Sequence, residues 1–154
     1  MGINKRRLII TVNTDASFHP GSKYGAYAFW IVCDEFRLKK SGAFKTKCRN
    51  PDDAEARCII NALSTLKGRP DIRIIVNTDS LNAIALLTNN KKHIKRYMGT
   101  RKWTHITKAF KKLNISNIEF RHVKAHSGKG DKRSYVNEWC DRQAKLELRK
   151  ILKS

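Results

Sequence analysis

Four carboxylates stand where their type is hard to accommodate: Asp15, Glu55, Asp79 and Asp141. The first and third each end a copy of the same tetrapeptide, Val-Asn-Thr-Asp, at 12–15 within LIITVNTDAS and at 76–79 within IRIIVNTDSL. Alternate residues of a strand share a face, so Asn13 projects with Asp15 and Asn77 with Asp79. If the two strands are parallel neighbours, both Asp side chains stand together at their carboxyl ends, where open α/β sheets form ligand sites. Taken singly, each Asp reads as a cap for the turn or helix that follows. Matched phase at both points instead to one shared ligand, with Asn13 and Asn77 placed to orient the carboxylates.

The other two acids lie on helical patterns. Glu55 falls three and four residues before Cys58 and Ile59, over an apolar stripe that continues through Ala62, Leu63 and Leu66. Asp141 shares a face with Ala144, Leu148 and Leu152, whereas Glu138 is spaced to form a surface ion pair with Arg142. A carboxylate on an apolar face costs free energy unless it is paired with a cationic side chain or binds a metal. Four that converge on one sheet end fit a divalent cation, and an oxygen-only donor set favours Mg²⁺ or Mn²⁺ over zinc.

The elements that must position these acids are visible in the patterning. Residues 8–14, 24–33 and 36–47 predict three strands whose short spacing implies an antiparallel meander. Pro51-Asp52-Asp53 opens a helix over 52–67, with acids in its first turn and Gly68 at its stop. A strand at 72–78 follows, then a helix from Ser80 to Leu87, a basic connection over 88–103, and a helix ending near Leu113. Residues 117–123 alternate as a strand, and SYVNEWCDRQAKLELRKIL forms a long last helix. The order βββαβααβα describes a single α/β domain over 1–154, preceded by a basic arm at 1–7, with the first and fourth strands parallel and adjacent. Sequences around the two tetrapeptides diverge at once, so they are not an internal repeat.

A net charge of +20, from 33 Lys and Arg against 13 Asp and Glu, names a polyanion as partner, most simply nucleic acid. With 40% hydrophobic residues and cations along the whole length, the charge belongs to a folded surface and not to a disordered tail. Lys91, Lys92, His93, Lys95, Arg96, Arg101 and Lys102, interleaved with Tyr97 and Trp103, form a run suited to phosphate contact. The four cysteines show no C-x-x-C pairing, so reduced thiols in a cytoplasmic protein are expected. No apolar stretch reaches the roughly 20 residues that span a bilayer. A monomer is the default for a domain of this size.

The ordered set T-D-A-S at 14–17, Y-G-A at 24–26, A-E-A at 54–56, T-D-S at 78–80, H-V-K-A-H-S-G at 122–128 and N-E-W-C-D-R-Q-A at 137–144 resembles the type 1 class of ribonuclease H over about 8–150. The resemblance implies the ribonuclease H-like fold, a five-stranded mixed sheet with its first three strands antiparallel and its first and fourth parallel, flanked by helices. It also implies an endonuclease that cuts the RNA strand of RNA–DNA hybrids with two Mg²⁺ ions, Mn²⁺ substituting, and leaves 5′-phosphate and 3′-hydroxyl ends. Its metal-binding carboxylates fall on Asp15, Glu55, Asp79 and Asp141, with Asp15 bridging both ions, and its loop histidine falls on His126.

Candidate nucleic-acid contacts are Ser17, Asn50, Ser80, Asn82, Lys91, Lys92, Lys95 and Arg96. The chain departs from the family where Arg49-Asn50-Pro51-Asp52-Asp53 replaces a common Thr-Asn-Asn run, and where Leu81 replaces a Gln, a role left to Asn82 or to backbone groups. A structure-specific DNA nuclease of the same fold, and a non-catalytic nucleic-acid-binding module, are the competing readings.

Overall fold

The computed structural model describes residues 7–124 and 132–154. Apolar β-formers build β1 (Leu8–Phe18), β2 (Gly25–Val32) and β3 (Arg37–Ala43), which pair antiparallel as the meander requires. After α1 (Pro51–Ser64) the chain crosses over to β4 (Ile72–Thr78), which lies parallel to β1. Three short helices follow, α2 (Leu81–Leu87), α3 (Lys91–Tyr97) and α4 (Thr104–Lys112), then β5 (Ile118–His122) and α5 (Lys132–Lys153). The sheet order is β3-β2-β1-β4-β5, with β5 parallel to β4. The twin tetrapeptides lie in register, Val12 opposite Val76 and Asn13 opposite Asn77.

One face of the sheet carries the main core, where Ile10, Val12, Phe29, Ile31, Ile74 and Val76 pack against Ile59 and Leu63 of α1, Leu86 of α2 and Ile106 of α4. Each such side chain contributes about 1.5–3 kcal/mol relative to exposure. The other face is covered by α5 through Cys140 and Ala144, which meet Ala28 and Trp30. The sheet is thus clamped between α1 and α5, and the carboxyl ends of β1 and β4 open between them. Leu152, expected on the buried face of α5, is 41% exposed near the end of that helix. Among the described residues, no helix is long and apolar enough to cross a membrane.

β1 runs on to Phe18 instead of ending at 14 and α1 ends at Ser64 instead of 67, and two larger differences follow. β3 stops at Ala43, with one further bond from the Phe44 N–H to the Gly25 carbonyl, and does not reach 47 because Arg57 of α1 binds residues 46 and 47: its Nη2 donates to the Thr46 carbonyl (3.3 Å) and Oγ1 (2.7 Å), and its Nη1 to the Lys47 carbonyl (3.1 Å). Carbonyls held by a guanidinium do not serve a strand ladder. The basic connection contains a helix of its own, α3, so the order is βββαβαααβα. Asn90 caps it by accepting from the His93 N–H at 3.3 Å, and Gly99, at φ +75°, follows its end. With Ile94 and Met98 as its apolar contacts, α3 shows no stripe for periodicity to detect.

Candidate active site

β1 delivers Asp15 opposite Ala28 of β2, and Asp79 follows directly on the last residue of β4. α1 brings Glu55 over the same sheet end because its N-terminus is fixed by an Asn50 cap, whose Oδ1 accepts from the Asp53 N–H at 2.8 Å, and by Pro51 in the first turn. One carboxyl oxygen from each of Asp15, Glu55 and Asp79 lies within 4.8 Å of the others, and all three residues are half-buried. The Ala16 N–H donates to both Asp15 Oδ1 (2.9 Å) and Glu55 Oε1 (3.2 Å). Glu55 Oε2 is buried and takes no hydrogen bond.

This arrangement is electrostatically incomplete. Burial, then the negative charges of Asp79 and Asp141, push the Asp15 carboxyl up to about 7. Burial, then the charges of Asp15 and Asp79, raise Glu55 well above the ordinary glutamate range. Three acids this close need shared protons or a cation, and the orphaned Glu55 oxygen is a ready acceptor for one. An all-oxygen donor set of this kind fits a hard divalent ion such as Mg²⁺ or Mn²⁺.

The fourth acid stands at the rim. Asp141 of α5 lies outside that group of three, with its side chain 26% exposed and its Oδ2 accepting from Lys145 Nζ at 3.0 Å, yet its charge still raises Asp15. Glu138 is exposed as expected. Among the described residues, the ion pair on this stretch of α5 joins Asp141 to Lys145 instead of Glu138 to Arg142. His126 lies outside the described residues. His122, at the end of β5, donates from Nε2 to the Asp79 carbonyl at 3.1 Å.

The remaining candidates fall around the same end. Ser17 is half-buried on β1, two residues beyond Asp15. Asn50 and Ser80 cap α1 and α2, the latter by accepting from the Ala83 N–H at 3.0 Å. Asn82 bridges His93 and Asp52 through its two amide atoms. Lys91, Lys92, Lys95 and Arg96 are exposed on α3.

Two features escaped the sequence. Asp53, only 2% exposed, is a structural acid whose signal was its spacing of three from Asn50, the spacing of a reciprocal helix cap. Cys58 and Cys140 are fully buried thiols that fasten α1 and α5 to β1: Cys58 donates to the Asp15 carbonyl at 3.2 Å and Cys140 to the Asn13 carbonyl at 3.6 Å. All four cysteines are free, as their spacing implied.

A sequence model of the RNase H family matches residues 7–149. A search of curated proteins finds no match. Among solved structures, LC9-RNase H1, described as a type 1 RNase H with the type 2 active-site motif, is similar with a TM-score of 0.64 at 14% identity, over 94% of this chain and 76% of its own. The PFV RNase H domain is similar with a TM-score of 0.57, also at 14% identity, over 92% of this chain and 93% of its own. At that identity the likeness to both is one of fold.

Proposed function

The chain belongs to the RNase H family, and from that premise we propose that it hydrolyses the RNA strand of RNA–DNA hybrids with divalent metal ions. The observation that carries this reading is the meeting of Asp15, Glu55 and Asp79 at the ends of two parallel strands, with a buried Glu55 oxygen left without a partner. Asp15, Glu55, Asp79 and Asp141 would hold two Mg²⁺ ions, or Mn²⁺ in their place, with Asp15 shared between them. When bound, such a pair stabilises both the attacking and the leaving oxygen of an in-line displacement, which leaves 5′-phosphate and 3′-hydroxyl ends.

The protein's own groups bind and orient the substrate. Lys91, Lys92, Lys95 and Arg96 grip backbone phosphates from α3. Ser17, Asn50 and Ser80, each within five residues of one of the carboxylates, contact the sugar–phosphate backbone. Capping leaves Asn50 its Nδ2 group and Ser80 its hydroxyl proton as donors. His126 assists proton transfer or product release.

Incubation of the protein with an end-labelled hybrid, with and without Mg²⁺, beside single-stranded RNA, duplex RNA and a four-way DNA junction, tests the reading. Metal-dependent cleavage confined to the hybrid is the expected result. Cleavage of the junction alone would make the protein a DNA nuclease of the same fold, and salt-sensitive binding without product would make it a binding module.

A further inference from the structure

The basic segment 88–103 is tied twice to the start of α1. Its helix α3 buries none of its residues fully, and Ile94 and Met98 touch the core only in part. A cleft of about 490 Å³, lined by Leu86, Asn89, Ile94, Thr100 and Trp103 among others, opens beneath it. So little apolar contact holds a helix loosely, and its placement then depends on polar links.

Two such links exist. From α3, His93 Nε2 lies 2.7 Å from Asn82 Oδ1, and Asn82 Nδ2 donates to Asp52 Oδ1 at 3.1 Å. From the far end of the segment, the Lys102 carbonyl accepts from Arg49 Nη1 at 2.7 Å. Arg49 and Asp52 flank the Asn50 cap, and Glu55 follows in the next turn of the same helix. Both links therefore end at the N-terminal end of α1, one on Asp52 in its first turn and one on Arg49 just before its cap, and α1 carries Glu55 of the acid cluster.

The chemistry of the first link is directional. An ionised Asp52 only accepts, so Asn82 must turn its amide nitrogen toward it and its oxygen toward His93, which must carry a hydrogen on Nε2. The link is thus a strut of fixed hydrogen-bond direction.

Resting on the hybrid-nuclease reading above, we propose that Asn82, His93 and Arg49 are positioning residues that set the distance from the basic helix α3 to the acid cluster. They thereby select which phosphodiester, counted from the phosphates held by Lys91, Lys92, Lys95 and Arg96, reaches the carboxylates. Adjacent phosphates along one strand of B-form DNA are about 3.4 Å apart along the axis, so a shift of α3 of that order changes by one the number of nucleotides between the phosphates it grips and the bond that reaches the acids.

The test compares the wild-type chain with His93→Ala, Asn82→Ala, the double variant and His93→Gln. It measures kcat, KM and the product ladder on an end-labelled hybrid, together with amide hydrogen exchange over 91–97. Each single variant breaks the one link from α3, His93→Ala by losing one hydrogen bond and Asn82→Ala by losing two, and is expected to raise KM about threefold to tenfold with kcat within a factor of two. The cut nearest the duplex end, the one limited by how far α3 reaches to the last phosphate, shifts or blurs by one nucleotide, α3 exchanges faster, the double variant is no worse than either single, and His93→Gln, which retains a donor, recovers most of the loss. Unchanged exchange and KM in the single variants, losses that simply add in the double variant, or a fall in kcat alone would overturn the proposal. A wild-type protein that leaves the hybrid uncut would overturn the functional reading instead, while the exchange measurement still decides whether the link holds α3.

Discussion

Asn77 on β4 donates its side-chain amide to Oδ1 of Asn13 on β1, 3.0 Å across the parallel pair, and Asn13 in turn donates to the Trp30 carbonyl of β2 at 3.1 Å. Three strands are thereby braced at one level, two residues short of Asp15 and Asp79. The sequence pointed to these Asn residues as groups that orient the carboxylates. Both amide nitrogens and the Asn13 oxygen are spent on each other and on β2, and the Asn77 oxygen is buried without a partner, so the bonds that are made act on the acids through the strands that carry them.

Because Asn13 makes two of these bonds and Asn77 one, Asn13→Ala is expected to destabilise by about 2–4 kcal/mol and Asn77→Ala by about 1–2 kcal/mol. Urea unfolding in the presence of a chelator measures both. On Mg²⁺ titration either variant weakens binding less than Asp15→Asn or Asp79→Asn. An equal or larger loss would mean that the amides reach the metal site.

The acid cluster makes the metal-free protein sensitive to pH. Asp15 is raised from 3.8 to about 7, so its contribution to stability is fully present below the unfolded value and is lost as pH rises through about 7; Glu55 shifts in the same direction. Discounted for a site open to water, the loss between pH 4 and 8 comes to about 1–3 kcal/mol. Thermal melts in chelator should show this fall, Asp15→Asn should flatten it, and saturating Mg²⁺ should reverse it at pH 8. A metal-free protein equally stable across that range would show that the carboxylates do not burden one another.

The parallel pairing of β1 and β4, and the meeting of three acids at their ends, were legible because strand phase and helix phase are local: Asp15, Glu55 and Asp79 each sit at a fixed spacing from apolar neighbours. α3 was not, since its stability comes from the Asn90 cap and from links to Asn82 and Arg49, which are contacts between segments. The rim position of Asp141 was equally hidden. A shared face with Ala144 says which side of α5 it lies on, but not how far along that side the sheet reaches.

That rim position separates the four acids in function. Asp15→Asn, Glu55→Gln and Asp79→Asn should each cut the hybrid-cleavage rate at least about 100-fold while leaving hybrid affinity in chelator nearly unchanged. Asp141→Asn removes an acid already paired with Lys145 and partly solvated, so its loss should be smaller and partly recovered at high Mg²⁺. Single-turnover rates across a metal titration would show this, and an Asp141 loss equal to that of Asp15 would place all four in one shell.

Asp53 lies two residues before Glu55 and is the more buried of the two, yet its surroundings assign it to the scaffold. Its Oδ2 accepts from the Arg49 N–H at 2.8 Å, its Oδ1 lies 2.9 Å from His105 Nε2, and Arg57 stands 3.9 Å away. It therefore ties the loop before α1 to α4, and with Arg57 it holds residues 46–48 out of the sheet. Replacing it with Asn leaves Arg57 and His105 facing a neutral group. Because both partners keep some contact with water, the cost should be about 2–4 kcal/mol, at or just below that of breaking a fully buried pair. Asp53→Asn should accordingly lower the unfolding midpoint while Mg²⁺ affinity and cleavage rate, measured well below that midpoint, stay within a factor of about three of the wild type. A selective loss of metal binding at unchanged stability would instead make Asp53 a member of the acid cluster.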